Sequence, residues 1–527
     1  MYRILLLCLI VASAAAQPLD TLMQIDQLFS SWNNATPGGM VQIKRGERII
    51  YNKAFGMADL EHNTPNTIET ISESGSVAKQ FTAMAALLLV SEGKISLSDD
   101  VKKFIPELPN YAAVITVHQL LNHTSGLKDW GVLYALTGWP RSTRAYTNEA
   151  ALRIICRQQS TNFIPGTEYS YSNSNYVLLS YIVERVSGQS LTQFTEERFF
   201  QPLEMNHTKW RSNFREIIPN RAIAYDHTKE GFEQLMPFEN AHGPGGLLTT
   251  TSDLLKWNTL LEHHSIGGDE VFQWRIQKGK LKNGKEIGYA SGLFIDTYNN
   301  LQKISHTGAT AGYRALLSYY PQKKLAIAIL SNDSWFDAGG IDKKIATLYL
   351  GSEKTKSPAT APISASESDL KKFEGTFKSV REYDIIKLSL KKGKLLLNEK
   401  PTSVIHKDTV FENGTKWAFV NSSTIIAVHS DTSSYKRVLP PSKVIDEYTG
   451  NYYSEEVETN YSITRKANEL FLTIGAFPPL RLSPEMEDGF MNNSNLYEFK
   501  RDKRGEVTSL EVNMSRCERV LFKKKKF

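Results

Sequence analysis

Cysteine is nearly absent: three occur in 527 residues, and one of them, Cys8, sits in an apolar stretch at the N-terminus. Cys156 and Cys517 are far apart in sequence, so a disulfide framework cannot be what holds the chain together, and they read as two free thiols rather than a bridge. Charge of one sign is lacking too. Lysine and arginine number 62 against 56 aspartates and glutamates, a formal net charge of +6. The basic residues are dispersed apart from Lys523 to Lys526, which reads as a solvated strand end, and nothing calls for nucleic acid. No run beyond the N-terminus approaches about 18 uninterrupted apolar residues, so no integral membrane span is expected. There is no His-Glu-x-x-His and no Gly-x-Ser-x-Gly, and His263-His264 lacks ligand spacing. Those absences disfavour a zinc hydrolase and an α/β-hydrolase, and no cofactor or metal is expected. Disorder is excluded as a general description, because 41% of the residues are hydrophobic and 10% aromatic.

What is present begins with a targeting pattern. Arg3 supplies a positive start, Ile4 to Ala12 an apolar run, and Ala14-Ala15-Ala16 a small-residue cleavage site. Residues 1–16 read as a signal peptide cleaved after Ala16, which implies a secreted or periplasmic protein. A second break lies at 352–368, where 12 of 17 residues are Ser, Thr, Pro or Ala, the composition of a linker.

Between them, residues 17–351 mix strand and helix signals. Met40–Ile43 and Ile49–Phe55 flank Arg45-Gly46-Glu47 as a hairpin. Phe81 to Val90 and Tyr176 to Val186 read as helices, the second stopped by Gly188. Ala315 to Tyr320 and Leu325 to Asn332 read as paired strands. Strands at both ends and helices between them give an α+β plan whose terminal strands share one antiparallel sheet. After the linker the sequence is nearly all β, and it repeats. Phe373-x-Gly375-x-Phe377 returns 75 positions later as Tyr448-x-Gly450-x-Tyr452, and Leu388, Leu395 and Leu397 return as Ile463, Leu470 and Leu472. Two small antiparallel β-barrel-like repeats are expected, 369–442 and 443–527, as structural or substrate-gating modules.

The chemistry concentrates in three places. Lys79 is the only charge between Val77 and Val90, in a helix apolar nearly all round. A buried lysine is costly unless paired, and burial drives it toward the neutral amine. Ser76 lies three residues before it, on the same face and at the helix N-terminus, where free N–H groups favour a developing oxyanion. That pair suits a nucleophile and its base. The spacing alone means little, since Ser389-x-x-Lys392 has it by chance in a β segment. Tyr171-Ser172-Asn173 falls on a loop before the Tyr176 helix. A lysine nearby would draw the Tyr171 phenol toward phenolate, a general base, while Asn173 would hold a substrate carbonyl. His306-Thr307-Gly308 precedes Ala309 and a strand, where a glycine at a strand edge admits close backbone approach.

Together these elements resemble the signatures of the serine β-lactamase and penicillin-binding-protein superfamily: Ser-x-x-Lys, Tyr-x-Asn and a Lys/His-x-Gly strand. Flanking segments resemble it as well, among them Leu121-Asn122-His123-Thr124-Ser125-Gly126-Leu127 and Gly245-Gly246-Leu247. The resemblance covers roughly Leu19 to Gly351, in the branch of class C β-lactamases, D-alanyl-D-alanine carboxypeptidases, D-aminopeptidases and esterases. It implies a β-lactamase/transpeptidase-like domain and an acyl-enzyme mechanism. Ser76 would be the acylated nucleophile, Lys79 its proton partner, and Tyr171 the general base. Asn173 would orient the acyl amide, and His306 would replace the third-motif cation and protonate the leaving group. The backbone N–H groups of Ser76 and Ala309 would form the oxyanion hole, and Thr307, beside Gly308, would meet a substrate carboxylate.

Class C enzymes carry lysine where this chain has His306, which points toward peptidases and esterases of the branch rather than efficient β-lactam hydrolysis. The expected substrates are small D-amino acid peptides, cell-wall stem peptides or esters. A penicillin-binding-type sensor that acylates without turnover is the alternative. Activity is expected to change as His306 titrates, near its reference pKa of about 6.5.

Overall fold

The computed structural model describes residues 19–140, 143–352, 363, 366–380, 383–406, 408–428, 432–441, 446–475 and 477–525. The expected signal peptide, and most of the expected linker, lie outside the described residues.

The catalytic region is built on a six-stranded antiparallel sheet. Its strands are β1 (Gly39–Arg45), β2 (Arg48–Phe55), β3 (Phe294–Tyr298), β4 (Leu301–Thr310), β5 (Tyr313–Tyr320) and β6 (Leu325–Ser331), in spatial order β3-β4-β5-β6-β1-β2. The terminal strands do share one sheet: β1 pairs with β6 from Gly39↔Ser331 to Arg45↔Leu325. The sequence Leu-Ala-Ile-Ala-Ile-Leu of β6 explains how that sheet is covered on both faces. Leu325, Ile327 and Ile329 point into one cluster with Ile25 and Phe29 of helix α1 (Leu19–Leu28). Ala326, Ala328 and Leu330 point into the other, with helix α2 (Lys79–Ser91). Alternation with a period of two sends the bulky residues to one side and mostly small ones to the other.

Helix α2 is the axis of the helical region, buried from Lys79 through Leu89, as its apolar sequence predicts. Helix α3 (Asn173–Ser187) packs beside it and ends at Gly188, which takes the left-handed φ of 75° that a C-terminal glycine permits. Helix α4 (Ala338–Leu350) lies on the α1 side of the sheet. Among the described residues no helix is long and apolar enough to cross a membrane.

Two β modules follow. The first is a nine-stranded antiparallel sheet spanning Gly375–Ser379 to Thr432–Val438, and the second is a closed eight-stranded barrel from Gly450–Ser454 to Cys517–Lys524. The repeat seen in the sequence is a repeat of register. Gly375 pairs with Leu388 and Leu388 with Leu397; 75 positions later Gly450 pairs with Ile463 and Ile463 with Leu472. Phe373 and Phe377, and likewise Tyr448 and Tyr452, fill the two interiors. Cys156 and Cys517 are unbridged, as expected.

Candidate active site

Ser76 does not open the α-helix, as the sequence suggested, but sits half-buried in a 3-10 turn, Gly75–Ala78, that feeds α2. Two glycines press this turn against β4. Gly75 has φ +50°, and a Cβ there would fall 2.5 Å from the Ala309 nitrogen. A Cβ at Gly308 would fall 2.0 Å from the Ser74 carbonyl oxygen, so no other residue fits without moving the backbone. The close approach expected at Gly308 is therefore made by the chain's own nucleophile turn. One turn on, the fully buried Lys79 ammonium or amine reaches three acceptors. Nζ lies 3.1 Å from Ser76 Oγ, 2.9 Å from Asn173 Oδ1 and 2.6 Å from the Pro244 carbonyl oxygen. The last two oxygens can only accept. A neutral amine that donates to both would turn its lone pair toward the serine hydroxyl.

Asn173 was expected on a loop; it is instead the first residue of α3, with Ser172 as its N-cap and Tyr171 on the preceding loop. Asp129 fixes it. One carboxylate oxygen accepts from the Asn173 backbone N–H at 2.8 Å and from its Nδ2 at 3.0 Å, which turns Oδ1 toward Lys79. The other accepts from the N–H groups of Gly131 and Val132. The Tyr171 ring stacks against Lys79, whose Nζ lies 4.8 Å from the ring centre. The sequence reading expected this lysine to draw Tyr171 toward phenolate. Burial of the hydroxyl dominates instead and pushes the phenol above its ordinary value, against a smaller lowering effect from Ser76, so the resting group is a neutral phenol.

Strand β4 carries the third element. Ile295 of β3 donates its N–H outward to the Gly288 carbonyl, so the hydrogen-bonded pairs between β3 and β4 are Phe294–Ser305 and Asp296–Lys303. The two-residue alternation then turns the N–H groups of Thr307 and Ala309 to that same side. Beyond Ser305 no described strand pairs there, and the edge faces the Ser76 turn. His306 is buried, with Nδ1 2.6 Å from the Thr307 carbonyl oxygen and Nε2 3.0 Å from the Tyr289 hydroxyl. A carbonyl accepts only, so the proton sits on Nδ1 and Nε2 accepts from Tyr289. Burial lowers His306 to about 3. The expectation of a cationic His306 is therefore overturned: it is a neutral imidazole across the physiological range.

The residue-by-residue geometry agrees with what the whole sequence matches. The Beta-lactamase family model matches residues 14–348. The chain belongs to the beta-lactamase family. It is 25% identical to a D-aminopeptidase of Brucella anthropi over 528 residues, covering 91% of this chain and 94% of that one. It is 28% identical over 313 residues to penicillin-binding protein 4* of Bacillus subtilis strain 168, covering 56% of this chain and 68% of the relative. Among solved structures, an octameric penicillin-binding protein homologue from Pyrococcus abyssi superposes with a TM-score of 0.57 at 25% identity, over 79% of this chain and 99% of that one. As a member of the beta-lactamase family, the protein is a serine hydrolase.

The beta-lactamase-type cleft has a volume of about 600 Å³ and gathers every residue the sequence singled out except Lys79, which lies beneath it. Ser76, Tyr171, Asn173, His306, Thr307, Gly308 and Ala309 all line it. Three residues that sequence reasoning missed complete the site. Tyr289 holds His306. His123, in the left-handed region at φ 60°, receives the Ser172 N–H and the Asn175 amide on Nδ1 and stacks 4.2 Å from the Tyr171 ring centre. It had been noted only as part of a family-like segment. Arg516, from the second barrel, stands in the cleft wall, and nothing local in the sequence marks it. Trp130 and Tyr134 are buried packing residues, and Trp139 packs edge-on against Phe477 of the second barrel.

Proposed function

We propose that this serine hydrolase acts through a covalent Ser76 acyl-enzyme on D-amino acid peptides, of the carboxypeptidase or aminopeptidase type, or on esters, after export with cleavage following Ala16. The observation that carries the reading is the placement of Lys79, whose Nζ lies 3.1 Å from Ser76 Oγ and is held there by Asn173 Oδ1 and the Pro244 carbonyl oxygen. The D-aminopeptidase relative supports the substrate class, and it aligns across both β modules as well as the catalytic region.

The steps follow from the geometry. Ser76 Oγ attacks the acyl carbonyl carbon as its proton passes to Lys79. The oxyanion forms against the N–H groups of Ser76 and Ala309, which the two glycines hold together at the bare edge of β4. The neutral Tyr171 phenol gives its proton to the leaving amine or alcohol and recovers one from the Lys79 ammonium. Water then attacks the Ser76 ester, its proton returning along the same groups to the serine oxygen, and the carboxylic acid departs. Asn173 orients the acyl group and Thr307 meets the substrate from the strand. His306 fixes Tyr289 and transfers no proton in this scheme.

Intact-mass spectrometry after brief exposure to a penicillin, alongside turnover of a D-amino acid p-nitroanilide and a p-nitrophenyl ester, tests this. Wild type is expected to gain one acyl adduct or to turn substrate over repeatedly. Ser76→Ala is expected to gain no adduct and to lose on the order of 10⁴-fold or more in kcat/KM. An adduct or turnover that survives Ser76→Ala sinks the reading. One equivalent of acylation with no second turnover on any substrate establishes the sensor instead.

A further inference from the structure

The last hairpin of the second barrel, Val507–Met514 and Cys517–Lys524, projects its turn into the catalytic region. The backbone of that turn is clamped. The Arg516 carbonyl accepts from the Asp129 N–H at 3.1 Å and from Asn162 Nδ2 at 3.0 Å. Cys517 Sγ lies 3.4 Å from the Asp129 carbonyl oxygen, and the Glu518 N–H donates to Asn162 Oδ1 at 2.9 Å. Arg516 itself takes φ +66°, a left-handed conformation that glycine or asparagine adopts at less cost.

This clamped backbone aims a guanidinium at the cleft. Arg516 lines the same cavity as Ser76, Tyr171 and Asn173, and its side chain remains 38% exposed. Among the described residues its one ion-pair contact is Asp129 Oδ2 at 3.6 Å, beyond hydrogen-bond distance. Asp129 does not need it, since the N–H groups of Asn173, Gly131 and Val132 and the Asn173 amide already occupy both carboxylate oxygens. Among the described residues the Arg516 guanidinium donates no hydrogen bond, so its planar set of N–H donors is open to the cleft. The other arginine of the wall, Arg314, is anchored through Nη1, which donates to the carbonyl oxygens of Ala311 and Tyr313. The acid of the wall, Asp337, caps α4 by accepting from the Gly340 N–H. The charge of Arg516 reaches the reacting groups, since it acts to lower the pKa of Tyr171.

We propose that Arg516 is a specificity-determining residue that binds an anionic group, a carboxylate, on the acyl portion of the substrate. It thereby selects acyl donors with a negative charge on the Asn173 side of the cleft over those presenting a cationic amine there. An open guanidinium pairs with a carboxylate through two parallel hydrogen bonds and repels an ammonium. The proposal rests on acylation of Ser76 and narrows its substrate class. The second barrel thus supplies part of the binding site rather than only covering it.

Three p-nitrophenyl esters of similar length separate the outcomes: the mono-ester of glutaric acid, the butyrate and the 4-aminobutyrate. Wild type is expected to favour the glutarate over the butyrate by at least tenfold in kcat/KM and to disfavour the aminobutyrate. In Arg516→Gln that ratio should fall at least tenfold, chiefly through KM. Arg516→Lys should retain part of it, and Arg516→Glu should shift preference toward the aminobutyrate. Free glutarate should compete with the butyrate ester on the unaltered protein, which needs no variant to fold. A wild type without preference, or variants that lower all three esters in equal proportion, overturns the proposal. Absence of both Ser76-dependent turnover and a Ser76 acyl adduct with all three esters overturns the acylation reading itself, and this proposal with it.

Discussion

The two β modules share a repeat and differ in what they touch. Both begin on the same register, with aromatic pairs filling the interior 75 positions apart. Yet the second barrel is continuous with the catalytic core: Tyr448, Tyr461, Leu470 and Phe522 belong to the same buried cluster as α2 and α3. The first module keeps a separate cluster around Phe373, Phe377 and Trp417. It joins the second barrel through polar contacts, Lys378 Nζ to Glu498 Oε1 at 2.7 Å and the Tyr383 hydroxyl to Glu518 Oε2 at 2.9 Å. One duplicated unit has therefore been used in two ways. Apolar burial welds one copy to the hydrolase, while hydrogen bonds dock the other onto the first.

The harshest way to break the comparison is to remove each copy in turn. Loss of 443–527 would expose the apolar face beneath Tyr461 and Phe522 and open the cleft wall at Arg516. The expected product is aggregated protein that takes up no acyl label. Replacement of 369–442 by a flexible linker is expected to leave a soluble protein labelled at Ser76. Soluble, labelled protein lacking 443–527 would refute the difference drawn between the copies.

A single atom exchange probes the weld next. Lys128 of the catalytic region and Glu456 of the second barrel form an ion pair 2.9 Å apart, with side-chain exposures of 0% and 7%. Glu456→Gln leaves the lysine charge buried without its counter-charge, a change that costs about 3–5 kcal/mol when buried pairs are broken. Thermal denaturation should show a large drop in Tm. An unchanged Tm would mean that the interface is wetter than the packing indicates.

Acidification should separate the regions more gently. Burial lowers the pKa of His123 and of His306 in the catalytic region. A histidine whose folded pKa lies below its unfolded value of about 6.5 contributes its full stability above that pH and loses it as pH falls toward the folded pKa. From pH 7 to 6 each should cost roughly 0.7 kcal/mol. In the first module, burial raises Asp384, so protonation at lower pH favours the folded form there. Calorimetry should find the catalytic transition moving down on acidification. Activity should show no His306 titration between pH 5 and 9, contrary to what its reference pKa suggests.

The contrast between modules also marks what the sequence could say. Ser76, Lys79, Tyr171, Asn173 and His306 were legible because local spacing and context carry them, and the repeat because a shared offset survives substitution. Helix edges were legible only in part: Asn173 moved from loop to helix because Asp129, 44 positions away, satisfies its N–H. The protonation of His306 and Tyr171 was not legible at all. Both are set chiefly by burial, which depends on the whole fold and not on the local spacing that marks the residues. Arg516 was hidden for a related reason. It is one arginine in a β hairpin, and only the welding of the second barrel brings it to the serine.

The mildest test concerns the docked copy. Tyr383 donates to Glu518 across the two modules, and burial raises the Glu518 carboxyl above its ordinary range, while Tyr383 opposes that rise. Tyr383→Phe removes that hydrogen bond, and a longer one accepted from Arg519 Nη1 at 3.4 Å, and leaves the shape, each worth about 0.5–1.5 kcal/mol in a typical case. Because Glu518 is two residues from Arg516 and its N–H holds Asn162, the exchange also asks whether the first module reaches the cleft through this strand. If docking is only adhesive, limited proteolysis of the first module should accelerate severalfold while the glutarate-to-butyrate preference stays constant. A preference that shifts with Tyr383→Phe would make the first copy a second tier of the same binding site, and the division between welded and docked modules would have to be redrawn at Glu518.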